Sequence, residues 1–107
     1  LDDPVINEYH ALAMGLCTAE EMSAMCYQAS RINKVLGDYL RRANMALADF
    51  KVEFGRVNGR LLVADEITPN TARIWDQSTL KHICKDGERN AEHEYAEILA
   101  RLEAAKL

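Results

Sequence analysis

Residues 45–54 alternate in a way that suits an extended strand. Met45, Leu47, Asp49, Lys51 and Glu53 fall on one side, with Ala46, Ala48, Phe50, Val52 and Phe54 on the other. The result is an apolar back and a front whose far end carries three formal charges, a strand that packs inward and presents chemistry outward. A second apolar run, Arg60-Leu61-Leu62-Val63-Ala64, also ends in carboxylates, at Asp65 and Glu66. Between the runs, Asn58-Gly59 is a strong hairpin signal because both residues tolerate positive φ. Two neighbouring strands that both deliver acidic side chains are expected to form a divalent-cation site.

The register of that hairpin decides the geometry. A two-residue loop, Asn58-Gly59, pairs Glu53 with Ala64 and sends Asp65 to the opposite face. A three-residue loop, Asn58-Gly59-Arg60, sets Glu53 directly across from Asp65. Opposed like charges destabilise a bare strand pair, so the second register makes sense when a cation bridges them. Mg²⁺ takes one or two protein carboxylates and completes its octahedron with phosphate oxygens and water, so a convergent pair implies a Mg-nucleotide site. An ordinary hairpin with charged residues on its wet face remains the alternative.

The flanking segments read as helical support. Thr18-Ala19-Glu20-Glu21 is a capping box. After it Met22, Met25, Cys26, Ala29, Ile32, Leu36, Tyr39 and Ala43 recur at three and four, the stripe of a long amphipathic helix. A shorter helix is expected from Asn7 to Met14, ended by Gly15. A last one, roughly 88–105, places Ala91, Tyr95, Ile98, Leu99 and Leu102 on one stripe. Cys26 on its stripe is expected to be buried filler. Trp75 is expected to anchor the core. The fold class is therefore α+β, an antiparallel hairpin or sheet packed against a long amphipathic helix and a C-terminal helix, in one domain spanning residues 1–107.

Composition closes off several functions. A net charge of −4 and a pI near 5.3 argue against nucleic-acid binding, which needs a basic stripe. No run approaches the roughly 18 apolar residues of a membrane span. Cys17, Cys26 and Cys84 have no Cys-x-x-Cys spacing and read as free thiols of a reducing, cytoplasmic compartment. His10, His82 and His93 lack zinc-site spacing.

The run Ala46-Leu47-Ala48-Asp49-Phe50-Lys51-Val52-Glu53-Phe54-Gly55 resembles the LVDFKxEFG signature of the SAICAR synthetase family. Residues 62–76, Leu-Val-Ala-Asp-Glu-Ile-Thr-Pro-Asn-Thr-Ala-Arg-Ile-Trp-Asp, are similar to that family's LADEIxPDxxRLWD segment. The opening Asp2-Asp3-Pro4-Val5-Ile6-Asn7-Glu8 is similar to its DPLIN segment. Three motifs in order are far more specific than one. The resemblance implies an ATP-dependent ligase of purine biosynthesis that joins the carboxylate of carboxyaminoimidazole ribonucleotide to the amine of L-aspartate, releasing ADP and phosphate. It implies ATP and Mg²⁺ as cofactors, with Glu53 and Asp65 as metal and nucleotide ligands and Lys51 beside the phosphates or the substrate carboxylate. These three would be the catalytic residues, and Arg73 and Arg89 would contact anionic substrate.

Three departures qualify the resemblance. Asn70 stands where the family has aspartate, and Gly87 replaces a basic position in the segment after Lys85. Complete members are roughly twice as long, within the 200–250 residues that single domains reach. The chain starts at Leu1, without an initiator methionine, and is expected to be a truncated or cleaved C-terminal portion. Its expected partners are the missing N-terminal region of the same enzyme and further copies in a homo-oligomer. The isolated chain is expected to be inactive without that region. The alternative is a non-catalytic relic that binds nucleotide or another protein.

Overall fold

A computed structural model describes residues 4–83 and 91–106. The order of elements is α1 (Glu8–Ala13), α2 (Ala19–Arg41), β1 (Met45–Phe50), β2 (Glu53–Val57), β3 (Arg60–Ala64), β4 (Ala72–Asp76) and α3 (Ala91–Ala104). Both leading helices start on reciprocal caps. Asn7 accepts from the His10 amide while His10 Nδ1 accepts from the Asn7 amide, and Thr18 and Glu21 do the same for α2. Gly15, at φ 70, ends the first helix as its position suggests.

The strands form two separate two-stranded sheets, β1 with β4 and β2 with β3, both antiparallel. The expected continuous strand through residues 45–54 is thus broken after Phe50, and each half takes a different partner. Inside β1 a bulge lies between Leu47 and Asp49. An extra residue switches the alternation, and the consequence is visible in the packing: Met45 and Leu47 face the core on one side of the bulge, Phe50 beyond it, and Ala48 is exposed. The expected apolar back of Ala46, Ala48 and Phe50 is corrected accordingly.

The core lies between the C-terminal end of α2, the β1–β4 sheet and α3. Met45 is fully buried, with Leu40, Ala43, Ala72, Ile74, Ile83 and Ile98 around it. Helix α3 begins at Ala91 within the described residues, and its buried face is rotated from the expected stripe. Glu94 and Ile98 point inward with Leu102 and Ala105 packed behind, while Tyr95 and Leu99 are exposed. Arg101 anchors this orientation, reaching Asp76 Oδ2 at 2.8 Å and the Asn44 carbonyl at 3.2 Å. Glu94 Oε1 lies 3.6 Å from His82 Nδ1, outside hydrogen-bond reach.

The N-terminal half of α2 has no comparable cover. Met22, Met25, Ala29 and Ile32 are half-buried, and Cys26 is exposed, contrary to the buried position expected for it. The stripe exists, but only its last turns meet β1 and α3. The molecule is correspondingly elongated, with a radius of gyration of 16.3 Å where a compact chain of this length has about 13 Å.

Candidate functional site

The hairpin takes the two-residue register. Val57 pairs with Arg60 and Glu53 with Ala64, so the three-residue loop that sets Glu53 opposite Asp65 does not form. The reason lies in the turn: Asn58 at φ 51 and Gly59 at φ 78 supply the two positive φ values that match the right-handed twist of the flanking strands. Plain alternation would then separate the two carboxylates. Asp65, however, leaves the strand in the left-handed region at φ 69, which breaks the alternation. Its carboxylate returns toward Lys51, whose Nζ lies 3.7 Å from Asp65 Oδ2 and 3.0 Å from Glu53 Oε1. The structure therefore brings Lys51, Glu53 and Asp65 together, around the lysine ammonium and by a backbone twist that the register alone does not provide.

Lys51 is also the joint between the two sheets. Its amide donates to the Thr71 carbonyl at 2.6 Å, tying the chain leaving β1 to the residue before β4. Beside this joint is a cleft of about 330 Å³ lined by Asp49, Phe50, Lys51, Asn70, Thr71, Ala72 and Arg73. Arg73 stands on β4 opposite Asp49 on β1. Its guanidinium grips Asp49 in a two-pronged pair, Nε donating to Oδ1 at 2.8 Å and Nη2 to Oδ2. The hydrogen bonds from Arg73 to Asp49, with their mutual charge, raise the arginine above its already high ordinary pKa. It stays a cation at any working pH.

The loop that carries Asn70 is closed by its own hydroxyls. Thr71 Oγ1 accepts from the Thr68 amide at 3.0 Å, and Thr68 Oγ1 donates to Glu66 Oε2 at 2.8 Å. The Asn70 amide donates to Thr68 Oγ1 at 3.2 Å, which fixes the backbone at the edge of the cleft. Sequence reasoning placed Asp49 on the charged front but missed its pairing with Arg73; opposite charges on two strand segments were the available signal. Arg89 lies outside the described residues, as do Cys84 and the segment containing Gly87.

A larger concavity lies elsewhere. A trough of about 1180 Å³ runs along α2 past Ile32, Val35, Leu36 and Tyr39 to Ile67. Its apolar floor is rimmed by Arg31, Asp38 and Arg41 of the same helix and by Arg42 at its C-cap, whereas the smaller cleft gathers Asp49, Lys51 and Arg73 from separate segments of the chain. Among the described residues no three Asp, Glu, His or Cys side chains cluster closely enough to enclose a metal ion by themselves. Two carboxylate oxygens already directed at one cation are nonetheless the donor set that Mg²⁺ accepts when phosphates and water supply the rest. Among the described residues, no helix is long and apolar enough to cross a membrane.

The SAICAR synthetase family model matches residues 1–102. The chain belongs to that family. A phosphoribosylaminoimidazole-succinocarboxamide synthase of Clostridium novyi is 44% identical over 110 residues, covering 99% of this chain and 47% of the relative. The synthase of Coprothermobacter proteolyticus is 46% identical over 107 residues, covering 95% and 45%. Among solved structures, a SAICAR synthetase in complex with ADP superposes with a TM-score of 0.83 at 37% identity, over 95% of this chain and 46% of the other. The Pyrococcus horikoshii enzyme gives 0.82 at 36%, with the same coverage. The chain thus spans about half the length of the SAICAR synthetases it matches. The expected α+β class agrees with this likeness.

Proposed function

We propose that this chain is the Mg-nucleotide and substrate-binding half of an ATP-dependent carboxylate–amine ligase, condensing carboxyaminoimidazole ribonucleotide with L-aspartate. The supporting observation is Lys51, which lines the Arg73 cleft and also bridges the Glu53 and Asp65 carboxylates. An anion held at the cleft and a nucleotide held at the hairpin would meet at this one side chain. A carboxylate becomes an acyl donor once phosphorylated, and that transfer requires the charge of the moving phosphoryl group to be neutralised. Mg²⁺ held by Glu53 and Asp65 would supply part of that neutralisation, and Lys51 the rest from the protein side. Arg73 presents a planar fork suited to a substrate phosphate or carboxylate, oriented by Asp49 from behind.

The single domain of 107 residues is, on this reading, the C-terminal part of a longer enzyme acting in the cytoplasm. Its N-terminal region and further copies complete the particle. The half-length match to the relatives supports this, as does the exposed apolar side of α2, where Tyr27 and Val35 are each more than 60% exposed. The test is calorimetric titration of Mg·ADP into the protein that carries this chain. Glu53→Gln and Asp65→Asn should each remove measurable binding while changing stability by less than about 1 kcal/mol, since the ion pairs they lose are exposed. Undiminished affinity in both variants removes the metal assignment. Aspartate-dependent phosphate release then separates ligase from relic: a folded protein that binds Mg·ADP but releases none is the non-catalytic alternative.

A further inference from the structure

The β2–β3 hairpin shares no strand hydrogen bonds with the β1–β4 sheet, so something other than a sheet ladder must set its direction. One anchor is the Lys51 amide on Thr71, at the hairpin's open end. The second is Arg56, the penultimate residue of β2, one pair from the turn. Its guanidinium spans to the start of α2, where Nη2 donates to Glu21 Oε1 at 2.8 Å and to the Leu16 carbonyl at 2.8 Å, while Nε donates to Glu21 Oε2. Glu21 is itself fixed, because Oε1 accepts from the Thr18 amide at 3.0 Å in the capping box. The Glu21 side chain is 23% exposed, against 56% for Glu53 in the Lys51 pair. A two-pronged, charge-assisted contact on an immobile acceptor orients far better than a single surface ion pair.

We infer that Arg56 and Glu21 are positioning residues, a strut that sets the angle of the hairpin and thereby holds Glu53 and Asp65 beside Lys51. Alternation puts Arg56 and Phe54 on one face of β2 and Glu53 on the other. The strut therefore grips the back of the platform whose front carries the carboxylate. With one anchor at residue 51 and another five residues on, the hairpin cannot swing about its open end. Released from the strut, it pivots there and carries Glu53 away from Lys51. Neither Arg56 nor Glu21 touches the cleft, so the effect on ligand passes through orientation. This inference rests on the hairpin carboxylates being the Mg-nucleotide ligands.

The experiment combines hydrogen exchange with Mg·ADP titration in the protein that carries this chain, for Arg56→Gln, Arg56→Lys, Glu21→Gln and Glu53→Gln. Glu21→Gln keeps an acceptor for the capping box while removing the charge, so the start of α2 survives. Arg56→Lys keeps the charge but cannot reproduce the fork. All three strut variants should speed exchange of the β2–β3 amides and weaken Mg·ADP about tenfold, the scale of a lost charge-assisted hydrogen bond, with β1–β4 exchange unchanged. If Glu53→Gln abolishes binding while the strut variants match the parent in hairpin exchange and affinity, the strut is overturned and the site stands. If Glu53→Gln binds normally, the nucleotide assignment fails, and hairpin exchange still decides whether the strut orients the hairpin. Restoration of parental values by Arg56→Lys would show that charge alone suffices, overturning the role of the fork.

Discussion

The two sheets are built from similar sequence and end in opposite environments. The β1–β4 sheet buries Met45, Ala72 and Ile74, while no residue of the β2–β3 hairpin is buried, and Val57, Leu62 and Val63 are each more than 40% exposed. Yet Leu61-Leu62-Val63-Ala64 is the more apolar run, and Ala72-Arg73-Ile74-Trp75 contains a charge. Burial follows from what packs against a strand, since apolar residues contribute much of any protein surface. The β1–β4 sheet has Leu40 of α2 and Ile98 of α3 against it. The hairpin is held by the Arg56–Glu21 strut and by the backbone tie from Lys51 to Thr71. One sheet is scaffold, and the other is a platform held at its edges.

The largest effect expected from this contrast comes from truncating matched side chains in the two sheets. Met45→Ala removes a fully buried side chain from the centre of the core and should cost about 2–5 kcal/mol. Leu61→Ala, on a half-buried position of β3, should cost roughly 1 kcal/mol, in proportion to the smaller area it withdraws from water. Urea denaturation of both variants measures the difference. Equal losses would mean that the hairpin is as much a part of the core as β1.

Much of this was legible in the residues, and the gaps have physical causes. Capping boxes are local, so Thr18 with Glu21 fixed the start of α2 from the sequence alone. The resemblance assigned Lys51, Glu53, Asp65 and Arg73 to one site; the fold sets Lys51 beside both carboxylates and lines one cleft with Lys51 and Arg73. Three features were hidden. The bulge at Ala48 and the break after Phe50 arise because β4 claims the first half of the run, which no period-2 pattern reports. The approach of Asp65 depends on one left-handed residue after a strand, at a position where alternation predicts the opposite face. The Arg56–Glu21 contact joins residues 35 apart in sequence, and neither pattern nor propensity encodes such a pairing. The inward face of α3 differs from the expected stripe for a related reason, since Arg101 ties the helix to Asp76 and Asn44 across the fold.

A smaller effect is expected at the turn. Gly59 sits at φ 78 with open space where a Cβ would stand, so Gly59→Ala meets no clash and suffers from backbone conformation alone. The left-handed region costs a non-glycine residue about 1–2 kcal/mol. Because the hairpin is separate from the core, that cost should appear as faster exchange of the β2–β3 amides rather than as a comparable drop in global stability. A full loss at the global denaturation midpoint would show that the two sheets unfold as one unit.

Acid offers the gentlest way to separate the two regions. The hydrogen bond from Arg56, followed by that from the Thr18 amide, draws the Glu21 carboxyl from 4.5 down to about 2. On the scaffold side, Asp76 is lowered from 3.8, first by the Thr79 amide and then by Arg101. A carboxyl depressed in the folded state contributes stability that is present above its unfolded value and is lost as pH falls through the folded one. For Glu21 that loss begins near pH 4.5 and is complete near 2. For Asp76 it begins only below about 3.8. On acidification from pH 5, hairpin amides corrected for intrinsic exchange should therefore lose protection before those of β4. Glu21→Gln should abolish the hairpin's early response and leave that of β4 in place. Simultaneous loss in both sheets of the parent protein would mean that the strut does not govern the hairpin in acid, and that the platform and scaffold respond together.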